Sequence, residues 1–369
     1  MPDEPLLAPK SLNKGEWSEL YVVFRLLSEG KLYAADENLD RIPNIFYPIL
    51  EIIREEVKGA EYRYKTADTS ADTIRIFLNG KCMAELSVHE FTQQADKLLS
   101  DLQKKQEGAF CIPDTEIFSS AVFISKVKAG SAQKADIHLK LHDIYTGYEP
   151  EVGFSIKSDL GRAPTLLNAG TTTNFVYRVS DLPEPMINAI NGITTNNKIR
   201  DRVNSVTREG GTFHFSGPEN EIFSDNLAMI DSNMDKIIAS MLLKFYESEL
   251  RNSSEVADYI TAENPLKLHA GLARNFYRHK FKEFLCAIAL GMRPGTHWDG
   301  LDEANGGYII VKNDGDVVAY HIYNRNSFRE YLLNNTKFET ASSSRHNFGS
   351  LYKQNGEVFM NLNLQIRFL

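Results

Sequence analysis

Two short segments carry residue types that can act together on a phosphodiester. One is Asp136, at the head of Asp136-Ile137-His138-Leu139-Lys140-Leu141, and the other is Ser155-Ile156-Lys157. Hydrolysis of such a bond requires water to reach a phosphorus whose oxygens repel anions. Carboxylates meet that need by holding Mg2+, a hard ion that prefers oxygen donors and keeps several waters. The ion offsets the phosphate charge and acidifies a bound water, and a second ion can assist the leaving oxygen. A lysine beside it can orient or help deprotonate the water and offset charge on the pentavalent transition state. On a strand, residues i and i+2 face the same way, so Ser155 and Lys157 share a face. Asp136 precedes Lys157 by 21 residues, a length that suits strand, turn and strand, so a hairpin brings the acid alongside. The same pattern also fits an ordinary amphipathic hairpin with solvated Asp and Lys ends, and Ser155 is no carboxylate.

Competing chemistries lack their residues. The chain has no GxxxxGK[ST] phosphate loop, no GxSxG elbow and no HExxH pair. His138 and His142 share a strand face at a spacing of four, which is more often a polar surface than a metal site. Cys82, Cys111 and Cys286 are odd in number and scattered, which excludes a disulfide framework or zinc knuckle.

The elements that must position Asp136 and Lys157 are readable from periodicity. The segment from Lys14 to Ser28 is a helix with Trp17, Leu20, Val23, Phe24 and Leu27 on one face, stopped by Gly30. A second helix is expected after Pro43, from Ile45, Phe46, Ile49, Ile52 and Ile53. Thr73–Leu78 alternates as a strand, Asn79-Gly80 turns it into Cys82–Leu86, and Ser87 caps a helix reaching about Gln103. Ala135–Leu141 and Glu151–Ser158 form the hairpin, with a turn at Tyr145-Thr146-Gly147-Tyr148, and Thr173–Val179 is a further strand. Asn220–Leu250 is mostly helical and Lys280–Leu290 is a buried helix. Gly307–Val311, a turn at Asp314-Gly315, Val317–Tyr323 and Val358–Phe368 return to β. The fold class is mixed, α+β.

At 369 residues the chain exceeds the usual domain size, and 42% hydrophobic with 24% charged residues excludes global disorder. Its most apolar stretches, Leu20–Leu27 and Met241–Phe245, fall far short of the ~20 residues that span a bilayer. Met1-Pro2-Asp3-Glu4 places acids where a secretory signal carries Lys or Arg. A soluble, cytoplasmic protein with no membrane partner is expected. The net charge of −8 is unevenly spread: residues 267–369 carry 13 Lys or Arg against 9 Asp or Glu. That permits a basic C-terminal surface on an acidic protein, although the local excess is modest.

Longer words sharpen the reading. Gly153-Phe154-Ser155-Ile156-Lys157-Ser158, Leu160-Gly161, Pro164-Thr165-Leu166-Leu167-Asn168-Ala169 and Thr173-Asn174-Phe175 resemble the HpaII-type restriction endonuclease family. So do Asn13-Lys14-Gly15-Glu16-Trp17-Ser18-Glu19-Leu20-Tyr21, Asn305-Gly306-Gly307-Tyr308-Ile309-Ile310-Val311-Lys312 and Asn363-Leu364-Gln365-Ile366-Arg367-Phe368. These words run in order through nearly the whole chain. The resemblance implies a PD-(D/E)xK core with helical insertions and a C-terminal β-containing DNA-recognition region. It implies a bacterial type II enzyme that cuts double-stranded DNA at a short palindrome with Mg2+, Mn2+ being a possible substitute. Two-fold DNA favours a homodimer, and a cognate DNA methyltransferase is the expected genetic partner.

Carried over by position, Asp136 becomes a metal ligand, Lys157 positions or activates water, and Ile156 offers its backbone carbonyl to the same ion. Ser155 occupies the place of the second carboxylate, so another acid must supply the charge. Glu19 on the opening helix is the first candidate, Glu16 one turn away the second, and Asp143 and Glu151 are further options. Arg162 is a candidate for guanine, and Asn168 and Asn174 for adenine or phosphate; turn stabilisation explains either Asn equally well. Arg274, Arg278 and Lys282 form a basic helical stripe. Lys337, Ser342–Arg345-His346 and Lys353 form a polar stretch that can enter a groove. Arg200-Asp201-Arg202 resembles guanine-reading elements, but an ordinary salt-bridged helix face fits its position better. Residues 1–215 are expected as the nuclease core with an insertion around 30–110, and 216–369 as the recognition region, a single compact unit being the other option. The alternatives in function are a repair or structure-specific nuclease with the same centre, and a non-catalytic DNA-binding protein, which Ser155 favours.

Overall fold

Asn13 and Glu16 start the first helix. In the computed structural model of the chain, α1 (Lys14–Glu29) opens with the Asn13 side chain accepting from the Glu16 amide at 3.0 Å. The Glu16 carboxylate accepts from the Asn13 amide in return at 2.9 Å. This reciprocal pair satisfies two of the helix's orphan N–H groups. Trp17, Leu20, Phe24 and Leu27 are fully buried on its inner face, and each is worth about 1.5–3 kcal/mol of burial. The structure describes residues 11–36, 38–57, 59–66, 72–105, 108–125, 135–144, 146–321 and 324–369. Asp3 and Glu4, the turn residue Tyr145 and the strand end Ile322-Tyr323 lie outside them.

Packing divides the chain into two units, residues 1–164 with 303–327, and residues 165–302 with 328–369. Residues 165–215, expected with the first region, thus pack in the second unit, and 303–327 pack in the first. Strand pairing is the reason, because each exchanged segment supplies a strand to the unit it joins.

The first unit holds β1 (Lys31–Ala35), β2 (Arg41–Val57), β3 (Ala60–Thr66), β4 (Thr73–Leu78), β5 (Lys81–Ser87), α2 (Val88–Lys104) and α3 (Pro113–Ala121). β6 (Ile137–Leu141) and β7 (Glu151–Ser158) follow. Next in chain order come the second unit's β8 (Thr165–Leu167), β9 (Asn174–Ser180), α4 (Glu184–Asn191), α5 (Lys198–Arg208), β10 (Thr212–Pro218), α6 (Glu221–Ile230), α7 (Met234–Glu247), α8 (Ser253–Glu263) and α9 (Ala270–Leu290). β11 (Gly307–Val311) and β12 (Val317–His321) return to the first unit. After α10 (Arg325–Asn334), the second unit ends with β13 (Thr336–Phe338), α11 (Ser343–His346), β14 (Leu351–Gln354), β15 (Glu357–Asn363) and β16 (Ile366–Phe368).

The first unit's sheet runs β1-β12-β11-β7-β6-β2-β3-β4-β5, and β1 also pairs with β2. The pairs β1–β12 and β11–β7 are parallel, and the rest are antiparallel. One face carries Leu32, Ile52, Leu139, Phe154, Ile156 and Ile309 into a core shared with α1. The helix expected after Pro43 is instead the 17-residue strand β2. Ile45, Ile49 and Ile53 are four apart, a spacing that suits one face of a helix or of a strand. The β-branched side chains and the partners waiting on both edges decide for the strand. Ile52, for example, sits between Tyr64 of β3 and Leu139 of β6.

In the second unit, β10-β9-β15-β14 form an antiparallel sheet and β13-β16-β8 a smaller one. The strand expected over Val358–Phe368 is split between these two sheets. Asn363 turns the chain there: its amide donates to the Gly170 carbonyl at 2.7 Å, Thr173 Oγ1 at 3.1 Å and Asn174 Oδ1 at 2.7 Å. The helix expected from Lys280 begins earlier, at Ala270, with His269 as its cap.

Candidate active site

The β6–β7 register decides whether Asp136 and Lys157 can meet. Ile137 lies opposite Phe154, and His138 opposite Gly153. One step beyond the ladder Asp136 falls beside Ser155, and its amide still donates to the Phe154 carbonyl at 2.8 Å. Directly opposed residues share a face, so Asp136, Ser155 and Lys157 project together. The side chains are linked through the serine. Ser155, 1% exposed, donates its hydroxyl to Asp136 Oδ2 at 3.0 Å. Lys157 Nζ donates to Ser155 Oγ at 2.8 Å and to the Ile156 carbonyl at 3.1 Å. The Ile156 amide donates to Asp136 Oδ2 at 2.6 Å. Ile156 points its side chain into the core on the opposite face, so only its backbone joins the site.

Close backbone approach holds the hairpin against β11. Gly153 donates its amide to Asn305 Oδ1 at 2.8 Å and accepts from Gly306 N at 2.7 Å. A Cβ on Gly153 would come within 2.7 Å of the Ala135 Cβ and 3.1 Å of the Glu303 carbonyl. At Gly307, φ is 110° and a Cβ would lie 1.9 Å from the Tyr320 carbonyl oxygen. The parallel register then sets Tyr308 beside Ser155, and the Tyr308 ring centroid lies 5.1 Å from Lys157 Nζ. Sequence reasoning missed this aromatic support. Its signal was the Asn305-Gly306-Gly307-Tyr308 word, but nothing local shows that the strand runs parallel to β7.

Burial pushes the Lys157 ammonium below its ordinary range, and the negative charges of Asp136 and Glu19 work in the opposite direction. Glu19 is thus within electrostatic reach of the site. Its neighbour Ser18 explains how: the Ser18 and Ser158 hydroxyls are 2.8 Å apart and pin α1 to β7. Glu16 caps α1, its carboxylate accepting from the Asn13 amide. Asp143 is buried in its turn and accepts from the Thr146 amide at 3.3 Å. Glu151 is exposed and joins Arg63 at 2.8 Å. Among the described residues no group of three or more His, Cys, Asp or Glu side chains is placed to hold a metal. The oxygen donors seen together are the Asp136 carboxylate and the Ile156 carbonyl, with the Glu19 charge felt at Lys157.

The residues expected to contact DNA separate by burial. Arg162, Asn168, Arg274 and Arg345 are exposed. Asn174 is 0% exposed, and its amide donates to Glu219 at 2.7 Å and to the His346 carbonyl at 3.0 Å. With its oxygen accepting from Asn363, it is a structural joint and is withdrawn as a DNA contact. Arg278 is tied to Asp258, Lys282 to Glu330 and Lys353 to Glu184. Lys337 is partly buried in β13, opposite Arg367. Arg200 pairs with Glu249 at 3.2 Å, whereas Arg202 is buried and donates to the carbonyls of Gly349, Asn191 and Ile193. That second arginine holds loops together instead of lining a salt-bridged face.

The family described as HpaII restriction endonuclease matches residues 13–368. The chain is 41% identical over 358 residues, 97% of its own length and 98% of the relative's, to the type II restriction enzyme HpaII of Haemophilus parainfluenzae. No solved structure matches it.

Proposed function

Since the chain belongs to the HpaII restriction endonuclease family, and is therefore a sequence-specific DNA endonuclease, we propose that it cuts double-stranded DNA at a short palindrome with Mg2+. The centre is of the PD-(D/E)xK kind and lies in the β6–β7 hairpin. The observation that carries this reading is the chain of hydrogen bonds from Lys157 through Ser155 to Asp136.

The donor set fits a hard cation. The Ser155 hydroxyl and the Ile156 amide both bond Asp136 Oδ2, leaving Oδ1 for an ion. The Ile156 carbonyl and the Glu19 carboxylate complete an all-oxygen set, which suits Mg2+ or Mn2+ better than thiolate- and imidazole-seeking metals. When bound, the ion neutralises phosphate charge and acidifies a water. Lys157 holds and orients that water and faces the charge that builds on the phosphate oxygens. Ser155 fixes the lysine relative to the aspartate, and Glu19 supplies the negative charge that a serine lacks. The net reaction consumes one water and breaks one P–O bond, giving a phosphomonoester and a hydroxyl.

The first unit then cuts. The second unit reads DNA through exposed groups such as Asn168, Arg274 and Arg345, and Arg162 of the first unit contributes near the cut. A homodimer matches the two-fold target. A methyltransferase for the same site protects the host in the bacterial cytoplasm. Purified protein incubated with plasmid and Mg2+ is expected to give discrete bands, and none with EDTA. A smear, or cutting that persists in EDTA, contradicts the proposal.

A further inference from the structure

The second unit contains a cavity of about 410 Å3 that the active-site chemistry does not use. Its floor is apolar and fixed. Phe245 and Tyr246 of α7 are buried, Phe245 packs on Phe338 with ring centroids 5.6 Å apart, and the Tyr246 hydroxyl donates to the Asn363 carbonyl at 3.0 Å. Its walls are polar. Lys198 and Arg200 come from the first turn of α5, and Arg251 from the connection before α8. The run Thr340-Ala341-Ser342-Ser343-Ser344 supplies hydroxyls along the remaining wall.

Charge accounting shows what such a cavity takes. Arg200 is paired with Glu249, whose side chain is itself 95% exposed. Lys198 and Arg251 make no ion pair among the described residues. The acid in the lining, Glu339, is bound by Arg367 at 3.1 Å. Positive charge and hydroxyl donors are therefore in excess, so the ligand is an anion rich in acceptor oxygens. Lys, Arg, Ser and Thr are among the side chains that bond DNA phosphates. An arginine fork also matches two phosphate oxygens at once.

We propose that this cavity grips a backbone phosphate of DNA, with Lys198 and Arg251 as its principal contacts. The proposal rests on the DNA-cleaving reading above and adds to it a contact that fixes register without reading bases. Such a contact strengthens binding to every sequence alike and releases counterions, so it sets part of the salt dependence.

The test measures binding of the full-length protein to a duplex carrying the mapped cut site, and to one lacking it, with Ca2+ replacing Mg2+ over a range of salt. Lys198→Gln and Arg251→Gln should each weaken both complexes by a similar factor and lower the slope of log K against log salt by about 1. Lys81→Gln, at an exposed position on the edge strand β5 of the first unit, should keep the slope. An unchanged slope in both cavity variants overturns the proposal, as does an equal fall in Lys81→Gln. A loss confined to the cut-site duplex overturns it too, because that marks base reading. A melting temperature raised by inorganic phosphate, with DNA binding unaltered in the variants, would assign the cavity to a free anion instead. If the wild type leaves plasmid uncut, the cleavage reading fails; if it cuts while both variants keep the full slope, only the cavity proposal fails.

Discussion

Ser155→Ala isolates what the hydroxyl between the two charges contributes. Ser155 is 1% exposed and its oxygen makes bonds of 2.8 Å with Lys157 Nζ and 3.0 Å with Asp136 Oδ2. A hydrogen bond to a charged group is worth about 1.5–3 kcal/mol. Both partners keep another bond when the hydroxyl goes: Lys157 to the Ile156 carbonyl, and Asp136 to the Ile156 amide. The loss is therefore nearer to one bond than two, about 2 kcal/mol, or about 30-fold in rate. Alanine leaves almost no extra space, so folding is preserved. The assay is single-turnover cleavage with enzyme in excess and saturating Mg2+, read beside duplex affinity. A rate within about twofold of wild type would refute the reasoning, since the bridge would then be idle. A loss as large as that of Lys157→Ala would refute it in the other direction, making the hydroxyl itself indispensable.

Glu19→Gln should abolish or severely weaken cleavage and raise the Mg2+ concentration needed, whereas Glu16→Gln should keep activity and cost about 1 kcal/mol of stability through the helix cap; a metal titration and a urea melt distinguish them. Tyr308→Phe should retain cleavage. Tyr308→Leu removes the ring facing Lys157 and should slow turnover about fivefold, for a cation–π contribution of about 1 kcal/mol, with KM unchanged. His321 is 5% exposed, and burial lowers its pKa to about 4 from 6.5. The unfolded state thus binds the extra proton between those values, and the stability held above pH 6.5 is lost as pH falls toward 4. That amounts to as much as about 3 kcal/mol. Melting curves at pH 7.5 and 5 should show it, and His321→Phe, packed against Tyr47 and Phe154, should flatten the slope in that window.

How much of this was legible in the sequence depends on how local the cause is. Glu151–Ser158 is read correctly because alternation is written along one segment. Asn79-Gly80 is read correctly because its φ angles of 47° and 85° suit those residue types. β2 is misread because isoleucines at spacings of four satisfy two periodicities, and strands far away in sequence choose between them. Within the site, the juxtaposition of Asp136 and Lys157 follows from hairpin length and strand alternation. The bridging role of Ser155 and the ring of Tyr308 depend on register across β6, β7 and β11. Glu16 was decipherable: Asn13 followed three residues later by Glu is a capping pattern. Asn174 and Arg202 were not, because composition does not reveal that a polar side chain is buried and spent on carbonyls and amides.

Cleavage of supercoiled plasmid by purified Asp136→Asn and Lys157→Ala, each checked for folding by circular dichroism and for duplex binding in Ca2+, addresses the hairpin centre directly. Both variants should leave the plasmid supercoiled while still holding DNA. Discrete cutting at wild-type rate by either one would contradict the assignment of the catalytic centre to these strands.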